Sequence, residues 1–151
     1  MALDDDIRIL SGVKLFEGFS QEQLRLLAFG TESMRLPASR KLYLEDDEAD
    51  SAYVVVSGSI ILYRESDQNR TPIASVKPGE ILGELALIAD TRRLTSAAAE
   101  TDSEVLRLNR KMFHRILEEY PELAVHLHRR ISEELQALIR RIEAMASRFT
   151  P

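Results

Sequence analysis

The chemistry of this chain is concentrated between Gly83 and Arg93. Gly83-Glu84-Leu85-Ala86 follows a strand-like Ile81-Leu82 and opens a short apolar turn from Leu85 to Ile88. A helical turn begun by a glycine offers backbone N–H groups and the positive end of its dipole to an anion. Arg93 follows the loop Asp90-Thr91-Arg92 and adds a two-pronged, charge-assisted contact to the same anion. Ionised Glu84 only accepts hydrogen bonds, so beside those amides it suits a hydroxyl rather than a phosphate. Together these residues imply a ligand with one phosphate and a nearby sugar hydroxyl.

Other chemistries find no residues to carry them. His114, His126 and His128 all lie in the helical C-terminal part, and the last two, two positions apart, do not share a helix face. A histidine-rich metal site within the strands is thereby excluded. The chain has no cysteine, which removes disulfides, thiolate nucleophiles and thiolate-bound metals. No Ser–His–Asp set, P-loop or dinucleotide fingerprint is present. The expectation is a binding protein rather than an enzyme, without metal or cofactor.

Strands must position the Gly83–Arg93 stretch. Short apolar or alternating runs recur at Met34–Leu36, Lys41–Leu44, Tyr53–Ser57, Ser59–Arg64, Thr71–Val76, Arg93–Ala98 and Glu104–Leu108. This spacing predicts an antiparallel barrel or sandwich. Turns are read at Asp67-Gln68-Asn69 and Lys77-Pro78-Gly79-Glu80. Before the strands, Asp4–Leu10 reads as a short helix, and Ser20-Gln21-Glu22-Gln23 as a capping box opening a second one that Gly30 ends. After them, Asn109 caps a helix carrying Met112, Phe113, Ile116 and Leu117, and Pro121 starts a longer one. That helix bears Leu123, Leu127, Ile131, Leu135, Leu138, Ile142, Met145 and Phe149, spaced close to a coiled-coil seam. The seam is longer than one barrel needs and predicts a parallel homodimer; the alternative is a helix folded back on its own barrel.

The stretch 82–96 resembles the phosphate-binding cassette of the cyclic nucleotide-binding domain, a family that includes catabolite activators and protein kinase A regulatory subunits. The family pattern is matched by Gly83-Glu84-Leu85-Ala86-Leu87, by Arg93-Leu94-Thr95-Ser96 and by Ala99. Upstream, Ser51–Gly58 is similar to the family's strand ending in a turn glycine. Downstream, Asp102–Leu108 and Phe113 resemble its last strand and first closing helix. The resemblance implies an α+β fold: an antiparallel β-barrel or jelly roll (a double-stranded β-helix) with N-terminal helices and a long C-terminal helix. One domain is expected over 1–151, with helices at 1–33, barrel at 34–108 and helices at 109–149.

The resemblance also implies the ligand. Arg93 and the backbone at Gly83 and Ala86 would meet the phosphate, Glu84 the ribose 2′-hydroxyl, and Leu82 and Leu85 would wall the pocket. Leu94 stands where cyclic-GMP-selective members carry a hydroxyl, which favours cAMP over cGMP, although Thr95 and Ser96 are close by. Leu138 and Ile139 would cover the base. Asp46 occupies a turn that glycine usually holds, and Arg92, in place of a frequent proline, reads as solvated.

Composition narrows the setting. The 44% apolar content suits one globular domain, and no apolar run approaches the roughly 20 residues of a membrane span. Met1-Ala2-Leu3 runs straight into Asp4-Asp5-Asp6, unlike a signal peptide, so a cytoplasmic location is expected. The net charge of −5 argues against nucleic acid or membrane as partner. The expected function is a cyclic nucleotide sensor acting on an unidentified effector protein through its C-terminal helices. Two alternatives stand beside it: a sensory domain excised from a larger transcription regulator, transporter or channel, since Pro151 precedes any helix-turn-helix, and a structural dimer module with a vestigial pocket.

Overall fold

The computed structural model describes residues 2–67 and 69–147. Its helices are α1 (Ala2–Ser11), α2 (Gln21–Phe29), α3 (Arg110–Glu119) and α4 (Glu122–Ser147), with 3-10 turns at Lys14–Phe16 and Glu84–Leu87. Its strands are β1 (Glu32–Leu36), β2 (Lys41–Tyr43), β3 (Glu48–Ala49), β4 (Ser51–Ser57), β5 (Ile60–Ser66), β6 (Asn69–Val76), β7 (Ile81–Leu82), β8 (Thr91–Arg92), β9 (Ser96–Ala99) and β10 (Ser103–Asn109). Antiparallel pairing orders them into one sheet β1-β10-β4-β7, a second β2-β9-β5-β6, and the ribbon β3-β8. This is the expected jelly roll with helices before and after it, although its sheets do not close into one hydrogen-bonded cylinder.

The apolar pattern explains the layers. Successive side chains of a strand point to opposite faces. Along β4, Tyr53 and Val55 face the inter-sheet core with Ile60, Leu62, Ile73, Leu82 and Val105. Ala52 and Val54 point the other way, to Leu10, Phe16, Leu27, Phe113, Leu127 and Ile131 of the helices and their connections. A strand buried on both faces cannot alternate apolar with polar residues, which is why Tyr53–Val56 is a continuous apolar run.

The helix signals read from the sequence are built as expected. The Ser20 hydroxyl accepts from the Gln23 amide at 3.1 Å, and the Gln23 side chain accepts from the Ser20 amide at 2.8 Å. The Asn109 side chain accepts from the Lys111 amide at 2.8 Å. Gly30 does end α2, but its φ of −94° is one any residue adopts. A Cβ there would collide with Met112, so the bare backbone serves the contact between α2 and α3.

One expectation changes. The run Arg93–Ala98 is not one strand: β8 ends at Arg92 and β9 begins at Ser96. The Arg93 amide donates to Asp47 O and the Arg93 carbonyl accepts from the Asp46 amide, both at 2.9 Å, which draws the chain out of the ladder. Asp46 holds the left-handed turn that permits this, at φ 70°.

On the α4 seam, Leu138, Ile142 and Met145 pack on the inter-sheet core of their own chain and stay partly exposed. Phe149, and Gln68 of the predicted turn, lie outside the described residues.

Candidate functional site

The eight residues singled out, Leu82, Gly83, Glu84, Leu85, Ala86, Arg93, Leu94 and Thr95, all line one cavity of about 480 Å³. Its floor is the inter-sheet space, reached through Leu62 and Ala74. Its cover is α4, through Ile131, Glu134, Leu138 and Arg141. Leu138 thus lies where a base was expected, whereas Ile139 is 37% exposed and is not part of the lining.

Arg93 is the feature that needs explaining. It is only 7% exposed. Its Nη2 donates to the Ser51 carbonyl at 2.7 Å, and its guanidinium stacks over the Tyr43 ring at 4.1 Å and reaches the Tyr53 ring at 5.7 Å. Its Nε is buried without a hydrogen-bond partner, and no ion pair to it occurs among the described residues. A buried charge is normally matched by an opposite charge, because desolvation without one is strongly unfavourable. Aromatic faces offset part of that penalty. They leave the guanidinium short of an acceptor, on a cavity wall.

Gly83 is constrained twice. Its φ of 71° is left-handed, and a Cβ would run into Arg93 Nη1. Glycine alone lets the 3-10 turn start where the guanidinium lies flat against the backbone. One of the turn's amides is less free than the sequence implies: that of Ala86 donates to Gly83 O at 3.2 Å.

Glu84 is pushed up to about 8 by burial first, then by a hydrogen bond to the Glu134 side chain and the repulsion of that second carboxyl. The Tyr43 hydroxyl is also raised, by burial, and hydrogen-bonds to the Thr95 side chain. Arg92 is largely solvated, as expected, with Nη1 donating to Asp46 O at 2.9 Å.

Sequence reasoning missed Tyr43, Tyr53 and Glu134. The tyrosines lie on β2 and β4, separate in sequence from the Gly83–Arg93 stretch, and nothing in their local pattern says which face meets Arg93. Glu134 sits among other charged residues of α4, and only the helix's seating on the barrel turns it inward. Arg110 was missed too. Its Nη1 donates to Ala49 O at 3.1 Å and Ala89 O at 2.8 Å, tying the start of α3 to the segment just after the Glu84–Leu87 turn.

A family model described as the cyclic nucleotide-binding domain matches residues 33–120. The chain is similar to the cyclic AMP receptor protein of Thermus thermophilus, 31% identical over 130 residues, which are 82% of this chain and 60% of that protein. Among solved structures it is similar to a cyclic nucleotide-binding-like protein from Brucella abortus, at 56% identity and a TM-score of 0.69, covering 76% of this chain and 99% of that one. It is also similar to the regulatory domain of Toxoplasma gondii PKA with cAMP, at 25% identity and a TM-score of 0.70, over 76% of this chain and 44% of the other.

Proposed function

The chain belongs to the cyclic nucleotide-binding domain family, and on that footing we propose that it is a non-enzymatic sensor whose ligand is cAMP, with cGMP the weaker alternative. One observation carries the proposal: a buried guanidinium on a cavity wall, with an Nε that has no partner and no counter-ion among the described residues. A cyclic phosphodiester supplies one negative charge and acceptor oxygens, which is what Arg93 lacks. The ribose 2′-hydroxyl would donate to Glu84, and Leu82 and Leu85 would pack on the sugar. A base would meet Leu138 and Leu94, with no hydroxyl at position 94 to bond guanine. The cavity volume of about 480 Å³ falls in the ordinary range for small-molecule sites.

Signalling would run through the helices. Arg110 joins the cassette turn to α3, and α4 covers the cavity, so a ligand that changes either changes what an effector protein meets. Ligand shifts such an equilibrium only by its differential affinity for the two arrangements. A homodimer through α4 would use the part of Leu138, Ile142 and Met145 that the barrel leaves exposed. Calorimetric titration with cAMP and with cGMP tests the reading; one saturable site with cAMP is expected, and no heat with either nucleotide at millimolar concentration overturns it.

The chain spans 60% of the length of the Thermus thermophilus receptor. That favours, as a second reading, the same sensor working inside a larger regulator. The complete reading frame discriminates the two.

A further inference from the structure

The cation on the cavity wall rests against two rings that come from separate sheets. Tyr43 ends β2, in the sheet β2-β9-β5-β6, and Tyr53 lies in β4, in the sheet β1-β10-β4-β7. Both pack in the inter-sheet core, with ring centroids 6.1 Å apart and planes inclined by 33°. The Arg93 guanidinium carbon lies 4.1 Å from the Tyr43 centroid and 5.7 Å from that of Tyr53. Both distances fall within the roughly 6 Å over which a ring face attracts a cation. Tyr53 is also the register partner of Leu82, the residue before Gly83. One ladder therefore places both the ring and the start of the Glu84–Leu87 turn.

A guanidinium is planar, so it can stack by its face and hydrogen-bond by its edge at once. The Tyr43 ring takes a face of Arg93, and on the edge Nη2 donates to Ser51 O at 2.7 Å. The Gly83 backbone closes on Nη1. That leaves Nε–H, which has no partner among the described residues. A carboxylate in the place of the rings would also hold the cation, but it would occupy that edge and repel an incoming phosphate. A neutral ring does neither.

Building on the functional reading above, we propose that Tyr43 and Tyr53 are positioning residues for nucleotide binding: stacked on the guanidinium, they hold Arg93 on the cavity wall before the ligand arrives, with its Nε–H edge open to the phosphate. An arginine free to sample its rotamers would have to be ordered by the ligand, and affinity would fall with the fraction of time spent in the competent one. Tyr43 contributes more than Tyr53, because its ring is the closer of the two.

The test has a ligand-free arm and a nucleotide arm, both on the full chain. Protons held over an aromatic face resonate upfield, so NMR of the ligand-free protein should find the Arg93 side-chain protons shifted upfield. The shift should persist in Tyr43→Phe and collapse in Tyr43→Leu. In calorimetry with cAMP, Tyr43→Phe should bind within about twofold of wild type and Tyr43→Leu about tenfold more weakly. Trifluorophenylalanine at position 43 keeps the shape of phenylalanine but drains the ring face of negative charge. It should weaken binding relative to Tyr43→Phe by about threefold or more, which a ring serving only to fill the core would not do. This comparison also serves if Tyr43→Leu does not fold. Upfield shifts absent from wild type overturn the proposal, and so does equal cAMP affinity of the phenylalanine and trifluorophenylalanine proteins. Upfield shifts lost in Tyr43→Leu, with no nucleotide bound by any of the proteins, support the stacked cation and overturn the functional reading instead.

Discussion

Arg93→Met separates a binding residue from a structural one. Among the described residues the guanidinium makes one hydrogen bond, at 2.7 Å to Ser51 O, and it stacks at 4.1 Å on Tyr43. A hydrogen bond involving a charged group contributes about 1.5–3 kcal/mol, and a desolvated cation–π contact about 2 kcal/mol. Against them stands the several-kcal/mol penalty, in order of magnitude, of keeping an ion from water without a partner. The opposing contributions nearly offset, and methionine refills much of the space. Ligand-free stability should therefore change by no more than about 1 kcal/mol, or about 2–4 °C in Tm for a chain of this size.

Nucleotide affinity should respond very differently. A phosphate left in the cavity without its cation loses about 3–5 kcal/mol, which is about two to four decades in Kd. Scanning calorimetry of both proteins, with and without saturating cAMP, measures the two quantities together, since bound ligand raises Tm by mass action. A variant destabilised by more than about 3 kcal/mol but binding cAMP like wild type would show that Arg93 holds the fold and not the ligand.

Other substitutions should divide in the same manner. Gly83→Ala forces a left-handed residue at about 1–2 kcal/mol and displaces Arg93, so both Tm and cAMP affinity should fall in thermal and calorimetric titrations. Ser20→Ala removes the capping box and should lower unfolding free energy by about 1 kcal/mol, leaving cAMP affinity unchanged. Leu94→Thr restores a hydroxyl beside the base and should move the cGMP-to-cAMP affinity ratio toward cGMP by about 1 kcal/mol, roughly fivefold, in parallel calorimetric titrations.

Much of the fold was legible because its signals are local. The capping box at Ser20, the cap at Asn109 and the apolar runs of β4, β5 and β10 each depend on residues within a few positions of one another. The meeting of Gly83 with Arg93 was legible for the same reason: the two are close in sequence. The break at Arg93–Thr95 was not, because it depends on hydrogen bonds to Asp46 and Asp47, which come from a distant turn. The destination of the α4 seam was equally hidden, since periodicity reports an apolar face without naming what covers it. Tyr43, Tyr53 and Glu134 needed the tertiary structure, being brought to Arg93 and Glu84 from three separate elements.

If Arg93 receives the nucleotide's phosphate, its Nε–H, which has no partner among the described residues, reports it directly. The Arg93 Nε–H proton resonance should move strongly downfield and become protected from exchange as cAMP saturates the protein, reporting a new charge-assisted hydrogen bond. A resonance that stays in place at saturating nucleotide, while signals elsewhere respond, would contradict it.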